Sequence, residues 1–466
     1  MKIHLSGICG TAMASLAGLL HERGHHVTGS DQDIYPPMST QLAELGVPVR
    51  SPYAEDNVPA DSDLVVIGNA LSRGNPEVEC VLDRRQRFTS LPALLAEEFI
   101  RGNTSLVVAG THGKTTTSSL LAHLLHATGR DPGFMIGGVP VDFGRSYRLG
   151  SGGLFVVEGD EYDCAFFDKR PKFVHYAPDV AIIGNVEFDH ADIYADLPAV
   201  QTAFVRLLNV VPRRGTIIAG IESPALAELL PRAHSRVETF GLNAQAHWQA
   251  VDLRVDGTLS RFRLLRAGRD QGEFALCLPG EHNVRNAVAA LAAAAVVGVE
   301  PDTAREALRS FRGVKRRLEL RGRNRGVAVY DDFAHHPTAV RETLRALRAS
   351  AGQGRLVAVF EPRSYTSRTR VFQEAFAQAF AIADYVVVAA AHLPGKVPEG
   401  ERLSERDLVS EIVRAGAQAV FIPGVSEIVE HLAGWLRDDD CVAVLSNGGF
   451  GAVHERLLAA LAAPPA

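Results

Sequence analysis

The run Gly110-Thr111-His112-Gly113-Lys114-Thr115-Thr116 has the residue types that a phosphate group asks for. Glycines let a backbone turn its N–H groups inward, a lysine adds a point charge, and a neighbouring hydroxyl can reach magnesium. Its spacing, Gly110-x-x-Gly113-Lys114-Thr115, is two residues shorter than the general G-x-x-x-x-G-K-[ST] loop. An ordinary strand-to-helix turn is the bland alternative; a nucleoside triphosphate is the expected ligand. Magnesium takes hard oxygen donors and keeps several waters, so one carboxylate from a neighbouring strand end is the expected companion of Thr115. Glu158, which ends LFVVE, fits that place. Asp160, Glu161 and Asp163 are rivals, and at least two of them read as solvated surface acids. Asn185-Val186-Glu187-Phe188-Asp189-His190 sets further polar groups just past an apolar run, so His190 is expected to serve the chemistry. His335 and His336, beside Asp331-Asp332, lack a third clustered ligand for structural zinc and read as hydrogen-bonding groups of a substrate site or cap.

These groups need strand ends to hold them. Leu106-Val107-Val108 reads as a buried parallel strand, and the stretch after Lys114 (SSLLAHLLHATG) as an apolar-periodic helix. Leu154 to Glu158 and Val180 to Asn185 are two more apolar runs that end in polar residues. Ligands gather at the carboxyl ends of strands in doubly wound sheets, so Gly110, Glu158 and Asn185 are expected over one site. Ahead of this region, Lys2 to Gly7, His26 to Asp31 and Asp63 to Asn69 read as strands, with a helix over Thr11 to Gly24 after the first. The turn Gly7-Ile8-Cys9-Gly10-Thr11 resembles a dinucleotide-binding turn with Asp31 where a ribose-binding acid would stand, although G-x-G-x-x-G is not satisfied. Residues 235–280 read as antiparallel strands extending the edge of the central domain, followed by helices over His282 to Gly298 and Asp302 to Phe311. The basic run Gly313 to Gly326 reads equally as a solvated linker. Beyond it VAVYDDF, RLVAVFEP, YVVVAA, AVFIPG and CVAVLSN are strands of a third α/β domain whose ends carry Asp331-Asp332, Glu361-Pro362-Arg363 and Ser446-Asn447-Gly448-Gly449.

The fold expected is therefore α/β with three domains: 1–100 Rossmann-like, 101–312 a P-loop domain on a mixed sheet, and 313–466 Rossmann-like. A chain of 466 residues suits that count. Its 46% hydrophobic and 22% charged residues are ordinary for a globular protein, and a formal net charge of -6 offers no general attraction to nucleic acid or anionic membrane. Five scattered cysteines without a C-x-x-C pair suit a reducing compartment. MKIHLSG enters a strand pattern with no signal-peptide layout, and the longest apolar run, Ala287 to Val299, falls short of the roughly 20 residues a membrane span needs. A cytoplasmic protein is expected.

GTHGKTTT, VVEGDEYD, NVEFDHAD, GEHNVRNAVAA, GVKRRLELRG and YDDFAHHPTA occur in this order along the chain. Together they resemble the Mur ligase family of peptidoglycan synthesis over essentially its whole length. The segments GSDQDIYPPMST, GNALSRGNPEVE, CAFFDKRPKFVHYAP and SNGGFG resemble the branch that joins UDP-N-acetylmuramate to a murein tripeptide, with the branch that adds L-alanine the nearest alternative. The resemblance implies a UDP-sugar in the first domain, ATP and Mg2+ in the second and the incoming amine in the third, in a monomer or weak homodimer. It implies that Gly110 to Thr116 hold the phosphates, with Lys114 on them. Thr115 and Glu158 would bind one magnesium, and His190 would assist a second. Asn286 with His282 would contact adenine, and Arg317 and Asp332 would reach the nucleotide on closure, with Arg316 and Asp331 as alternatives. Gly10, Thr11, Asp31, Asn69 and Ser72 would line the UDP pocket, and Arg363 and Asn447 would face the peptide. Family members that extend the peptide carry a carbamylated lysine beyond the equivalent of His190; here no lysine stands between Lys172 and Lys315. That departure fits the branches that take UDP-N-acetylmuramate itself. An oxidoreductase built on the first-domain turn and Asp31 would leave Lys114, Glu158 and His190 idle; a nucleotide-gated binding protein would use the phosphate loop as a switch, and stoichiometric ADP release coupled to amide formation would exclude it.

Overall fold

In the computed structural model, which describes residues 1–34, 38–350 and 354–462, three parallel-cored sheets follow one another along the chain. Residues 35–37 of the GSDQDIYPPMST segment and 463–466 of the expected third domain lie outside the described residues.

The first sheet has five parallel strands, with Lys2–Ser6 at its centre between His26–Ser30 and Leu64–Ile67. Its strand ends are tied by a buried carboxylate. Glu77 accepts from Ser6 Oγ at 2.6 Å and from Asn57 Nδ2 at 3.0 Å, and Asn75 caps the helix Pro76–Asp83 that carries it. Burial raises the Glu77 carboxyl, but this set of hydrogen bonds, with His4 and Ser30, outweighs it and brings the pKa down to about 2.

The central sheet has ten strands, and at its middle Thr104–Ala109 lies between Leu154–Gly159 and Val180–Ile183, all parallel. Val107 and Ala109 pack into one core with Phe173 and Phe204, while Leu106 and Val108 pack into another with Leu120, Leu124 and Val288. Both faces are thus covered, which explains the unbroken apolar run. Small residues on the Ala-rich helix Glu281–Val296 let it pack against Lys114–Ala127. Strands Leu259–Arg266 and Arg269–Leu276 form the antiparallel edge expected of residues 235–280. Arg236–Gly241, in the same stretch, is instead parallel to Thr216–Gly220. Its alternation resembles an antiparallel strand because only part of it is covered.

The third sheet has six strands, five of them parallel. The sixth corrects the linker reading of the basic run: Glu319–Asn324 pairs antiparallel with Val327–Asp332 as an edge strand. Charges suit an exposed edge because they discourage pairing with another chain. Among the described residues no helix is long and apolar enough to cross a membrane, and all five cysteines are free.

Candidate active site

The phosphate loop leaves a buried strand and enters the helix Lys114–Ala127. Gly110 has φ +129°, and a Cβ there would come within 3.1 Å of Asn185 N and O. Gly113 has φ +83° and no room for a Cβ beside Asn286 Oδ1. These glycines are therefore set by the neighbouring loop and helix as well as by their own turn. Asn185 also accepts the His112 N–H through Oδ1 at 2.8 Å. The three central strand ends do meet over one site.

Lys114 Nζ donates to Gly110 O and to Glu161 Oε2, both at 2.8 Å. The other oxygen of Glu161 accepts from His190 Nε2 at 3.1 Å, and Glu161 is only 1% exposed. Burial alone would lower the Lys114 pKa, but Glu161 and Asp160 raise it above the usual value, so the charge is held in place. His190 follows the same balance: burial lowers its pKa, and the Glu161 hydrogen bond with the Asp189 charge raises it. None of the three rival acids is merely solvated, contrary to expectation, because Asp160 pairs with Lys172 at 2.7 Å and Asp163 with Lys169 at 2.6 Å. Glu158 differs from them. It accepts the Gly137 N–H at 2.7 Å and the Thr115 hydroxyl at 3.4 Å, but among the described residues no cation hydrogen-bonds to it. Burial raises its carboxyl pKa. Two hard oxygens side by side, one a half-buried acid with Lys114 and Arg317 near it but no hydrogen-bonded cation among the described residues, suit magnesium.

A cavity of about 740 Å³ opens from this loop. His112, Gly113 and Thr116 form one wall, His282 and Asn286 a second, and Arg317 and Asp332 a third. Arg317 Nη2 donates to Thr115 Oγ1 at 3.2 Å, which brings the third sheet's side of the molecule to the phosphate loop. Arg316 turns away to Asp331 at 3.4 Å and to the Ser446 and Gly448 carbonyls, so Arg317 and Asp332 are the pair that faces the cavity. Burial pushes the His282 pKa down to about 3, leaving an uncharged ring against the cavity.

Three contacts hold the third sheet's loops over the NVEFDH segment. Thr366 Oγ1 donates to Asp189 Oδ1 at 2.6 Å, Thr338 Oγ1 to Glu187 Oε2 at 2.7 Å, and His336 Nε2 to Phe188 O at 3.2 Å. His112 and Glu187 approach His336 closely enough to form a candidate metal trio. Both His336 nitrogens, however, are already engaged, since Nδ1 accepts the Thr338 N–H at 3.3 Å. Hydrogen bonding is the use the fold makes of it, and His335 Nδ1 likewise donates to Phe333 O.

The remaining predicted residues stand elsewhere. Gly10, Thr11, Asn69 and Ser72 follow the adjacent strands Lys2–Ser6 and Leu64–Ile67 at the carboxyl edge of the first sheet. Asp31 is there too, but engaged: it accepts the Cys9 N–H at 2.8 Å and the Tyr53 hydroxyl at 3.0 Å, buttressing the glycine turn. Arg363 and Asn447 follow the neighbouring strands Leu356–Phe360 and Cys441–Leu445 of the third sheet.

Sequence reasoning missed Glu161 as the link between Lys114 and His190, since nothing in EGDEYD marks which acid is buried. Glu161→Gln keeps the shape and removes the charge. It is expected to lower kcat by about 10- to 100-fold, as loss of an orienting partner does. Circular dichroism should stay unchanged, and a kcat within twofold of the parent enzyme would refute the link.

The chain belongs to the Mur ligase family. The Mur ligase family catalytic domain matches residues 2–101, the Mur ligase middle domain 108–294, and the Mur ligase glutamate ligase domain 316–448. It is therefore an ATP-dependent ligase. Among particular relatives, it is 44% identical to the UDP-N-acetylmuramate–L-alanyl-gamma-D-glutamyl-meso-2,6-diaminoheptandioate ligase of Escherichia coli (strain K12), over 99% of this chain and 98% of that one. A UDP-N-acetylmuramate–L-alanine ligase of Geobacter sp. (strain M21) is 35% identical over 99% of this chain and 98% of its own length. The crystal structure of a murein peptide ligase from Psychrobacter arcticus 273-4 superposes with a TM-score of 0.74 at 38% identity, covering 100% of both chains.

Proposed function

We propose that the protein joins the lactyl carboxylate of UDP-N-acetylmuramate to the α-amine of L-alanyl-γ-D-glutamyl-meso-diaminopimelate, consuming ATP, in the recycling of peptidoglycan in the cytoplasm. The observation that carries the reading is the cavity: its volume of about 740 Å³ is that of a small-molecule site, and it runs from the Lys114 loop to the pair Arg317 and Asp332. The relatives named for the tripeptide substrate are the more similar, and those named for L-alanine supply the second reading.

In this reading residues 1–100 hold the UDP-sugar, 101–312 hold ATP and 313–466 hold the peptide. Lys114 and the loop N–H groups neutralise and position the transferring phosphate, while His282 and Asn286 face the base and Arg317 and Asp332 close the nucleotide in. Magnesium, held by Thr115 and Glu158 with a second ion near His190, would neutralise phosphate charge. Glu161 accepts from His190 Nε2 and would hold the ring in place beside that second ion.

A carboxylate is a poor electrophile, so its oxygen first attacks the γ-phosphorus of ATP and ADP leaves. The peptide amine then attacks the acyl phosphate carbonyl, phosphate departs with the C–O bond electrons, and the nitrogen gives up a proton. An acyl phosphate would hydrolyse in open water. The Thr366–Asp189 and Thr338–Glu187 bonds tie the third sheet's loops to the NVEFDH segment and would help to hold a closed arrangement that excludes it. Of the histidines that could accept the amine proton, His336 has both nitrogens occupied and His335 keeps Nε2, with burial lowering its pKa to about 4.

The test is coupling. With UDP-N-acetylmuramate, ATP, magnesium and the tripeptide, one ADP and one phosphate should form per amide bond. ADP release without amide would sink the ligase reading, as would amide formation without ATP.

A further inference from the structure

Arg316 adjoins Arg317 in the chain and points to a different place. Its backbone lies in the left-handed region, φ +60°, which strains any residue with a Cβ. The strain is held from both sides: the Arg316 N–H donates to Glu319 Oε2 at 2.8 Å, and its carbonyl accepts the Phe333 N–H at 2.9 Å. Arg317 then reaches Thr115, while Arg316 Nη2 donates to Ser446 O at 2.6 Å and to Gly448 O at 2.7 Å. One guanidinium nitrogen on two carbonyls of one loop fixes the path of that loop. At its tip Asn447 Oδ1 is buried without a hydrogen-bond partner among the described residues, an acceptor open to an incoming N–H.

Arg316 is itself anchored. Asp331, 1% exposed, stands 3.4 Å from Arg316 Nε and accepts from His454 Nε2 at 3.0 Å, with Arg321 at 3.7 Å. The other charges around it are Glu319 and Glu455, both paired with Arg321, and the adjacent Asp332. His454 comes from the C-terminal helix Val453–Ala462 and Arg321 from the edge strand Glu319–Asn324, so two elements that do not line the cavity converge on one acid. Burial pushes the Asp331 carboxyl up to about 6 in spite of the arginines beside it. A folded-state pKa above the ordinary one means that the ionised carboxylate opposes folding at neutral pH. Its use therefore lies in what it orients.

We propose that Arg316 is a positioning residue for the incoming amine substrate: anchored by Asp331 and His454, it clamps the Ser446–Gly449 loop in the shape that receives the peptide. The proposal rests on the ligase reading, which gives the third domain to the peptide. It separates the two neighbouring arginines by task, with Arg317 on the nucleotide side and Arg316 acting through the loop.

The experiment measures KM for the tripeptide and for ATP in the parent enzyme, Arg316→Gln and Asp331→Asn. At about pH 8 each variant should raise the tripeptide KM about tenfold, the worth of a charge-assisted hydrogen bond, and leave the ATP KM within about twofold. The peptide amine titrates in this range as well, so the readout against pH is the ratio of the Asp331→Asn KM to the parent KM, from which that titration cancels. The anchoring charge is present above the Asp331 pKa and lost as pH falls through it. The ratio should therefore drop from about tenfold at about pH 8 to below about twofold at about pH 5, where Asp331 of the parent is protonated too. A ratio that stays the same at both pH values would overturn the proposal, since a lost shape and not a lost charge would then explain the variant. An ATP KM that rises as much as the tripeptide KM would overturn it by making Arg316 a nucleotide contact. Arg316 is partly exposed, and its variant decides the matter even if Asp331→Asn does not fold. Unchanged tripeptide KM in Arg316→Gln would overturn the proposal while turnover left the ligase reading standing. A parent enzyme that accepts no tripeptide would overturn both.

Discussion

Lys114→Ala is expected to lower kcat by about a thousandfold or more, the scale seen when a charge that stabilises a phosphoryl or acyl transition state is removed. The structure adds a second consequence. Lys114 neutralises Glu161, which is 1% exposed, and removing one partner of a buried pair costs about 3–5 kcal/mol because the other charge is left stranded. His190 remains as a partner for Glu161 and would offset part of that cost. The variant should therefore melt at a lower temperature yet keep its circular dichroism spectrum. Glu161 can be neutralised together with it: Lys114→Met/Glu161→Gln should recover most of the melting temperature and none of the activity. Turnover within tenfold of the parent in Lys114→Ala would refute the phosphate role.

Glu158→Gln should show its largest effect in the magnesium titration. We expect the half-saturating magnesium concentration to rise at least about tenfold and kcat to fall about a hundredfold, since charge, and not shape, is what the substitution removes. Competing assignments have become weaker in the fold. Asp160 is neutralised by Lys172, and Glu161 by Lys114 and His190, whereas Glu158 has no hydrogen-bonded cation among the described residues and its Oε2 lies 3.4 Å from the Thr115 hydroxyl. An unchanged magnesium titration would return the ligand role to one of those two acids.

What could be read from the sequence was what is local. An apolar strand, a glycine turn and a lysine at a helix start are adjacent in the chain, so the loop from Gly110 to Thr116 and the strand ends at Glu158 and Asn185 were all placed. The two covered faces of Thr104–Ala109 explain why its run is continuous. Long-range burial left no such trace. Glu161 looks like its neighbours until Lys114 and His190 are brought to it from 47 and 29 residues away. The bonds from Thr338 to Glu187 and from Thr366 to Asp189 span 151 and 177 residues. The edge strand Glu319–Asn324 was hidden for a different reason: charge, which usually marks a linker, there protects a sheet edge.

The most direct measurement offers the purified protein ATP, magnesium and UDP-N-acetylmuramate with either the tripeptide or L-alanine, and follows the nucleotide product by mass spectrometry alongside ADP. The account predicts a UDP-N-acetylmuramoyl-tripeptide formed with equimolar ADP, and little product from L-alanine. Consumption of L-alanine alone would contradict it and make the protein the alanine-adding ligase.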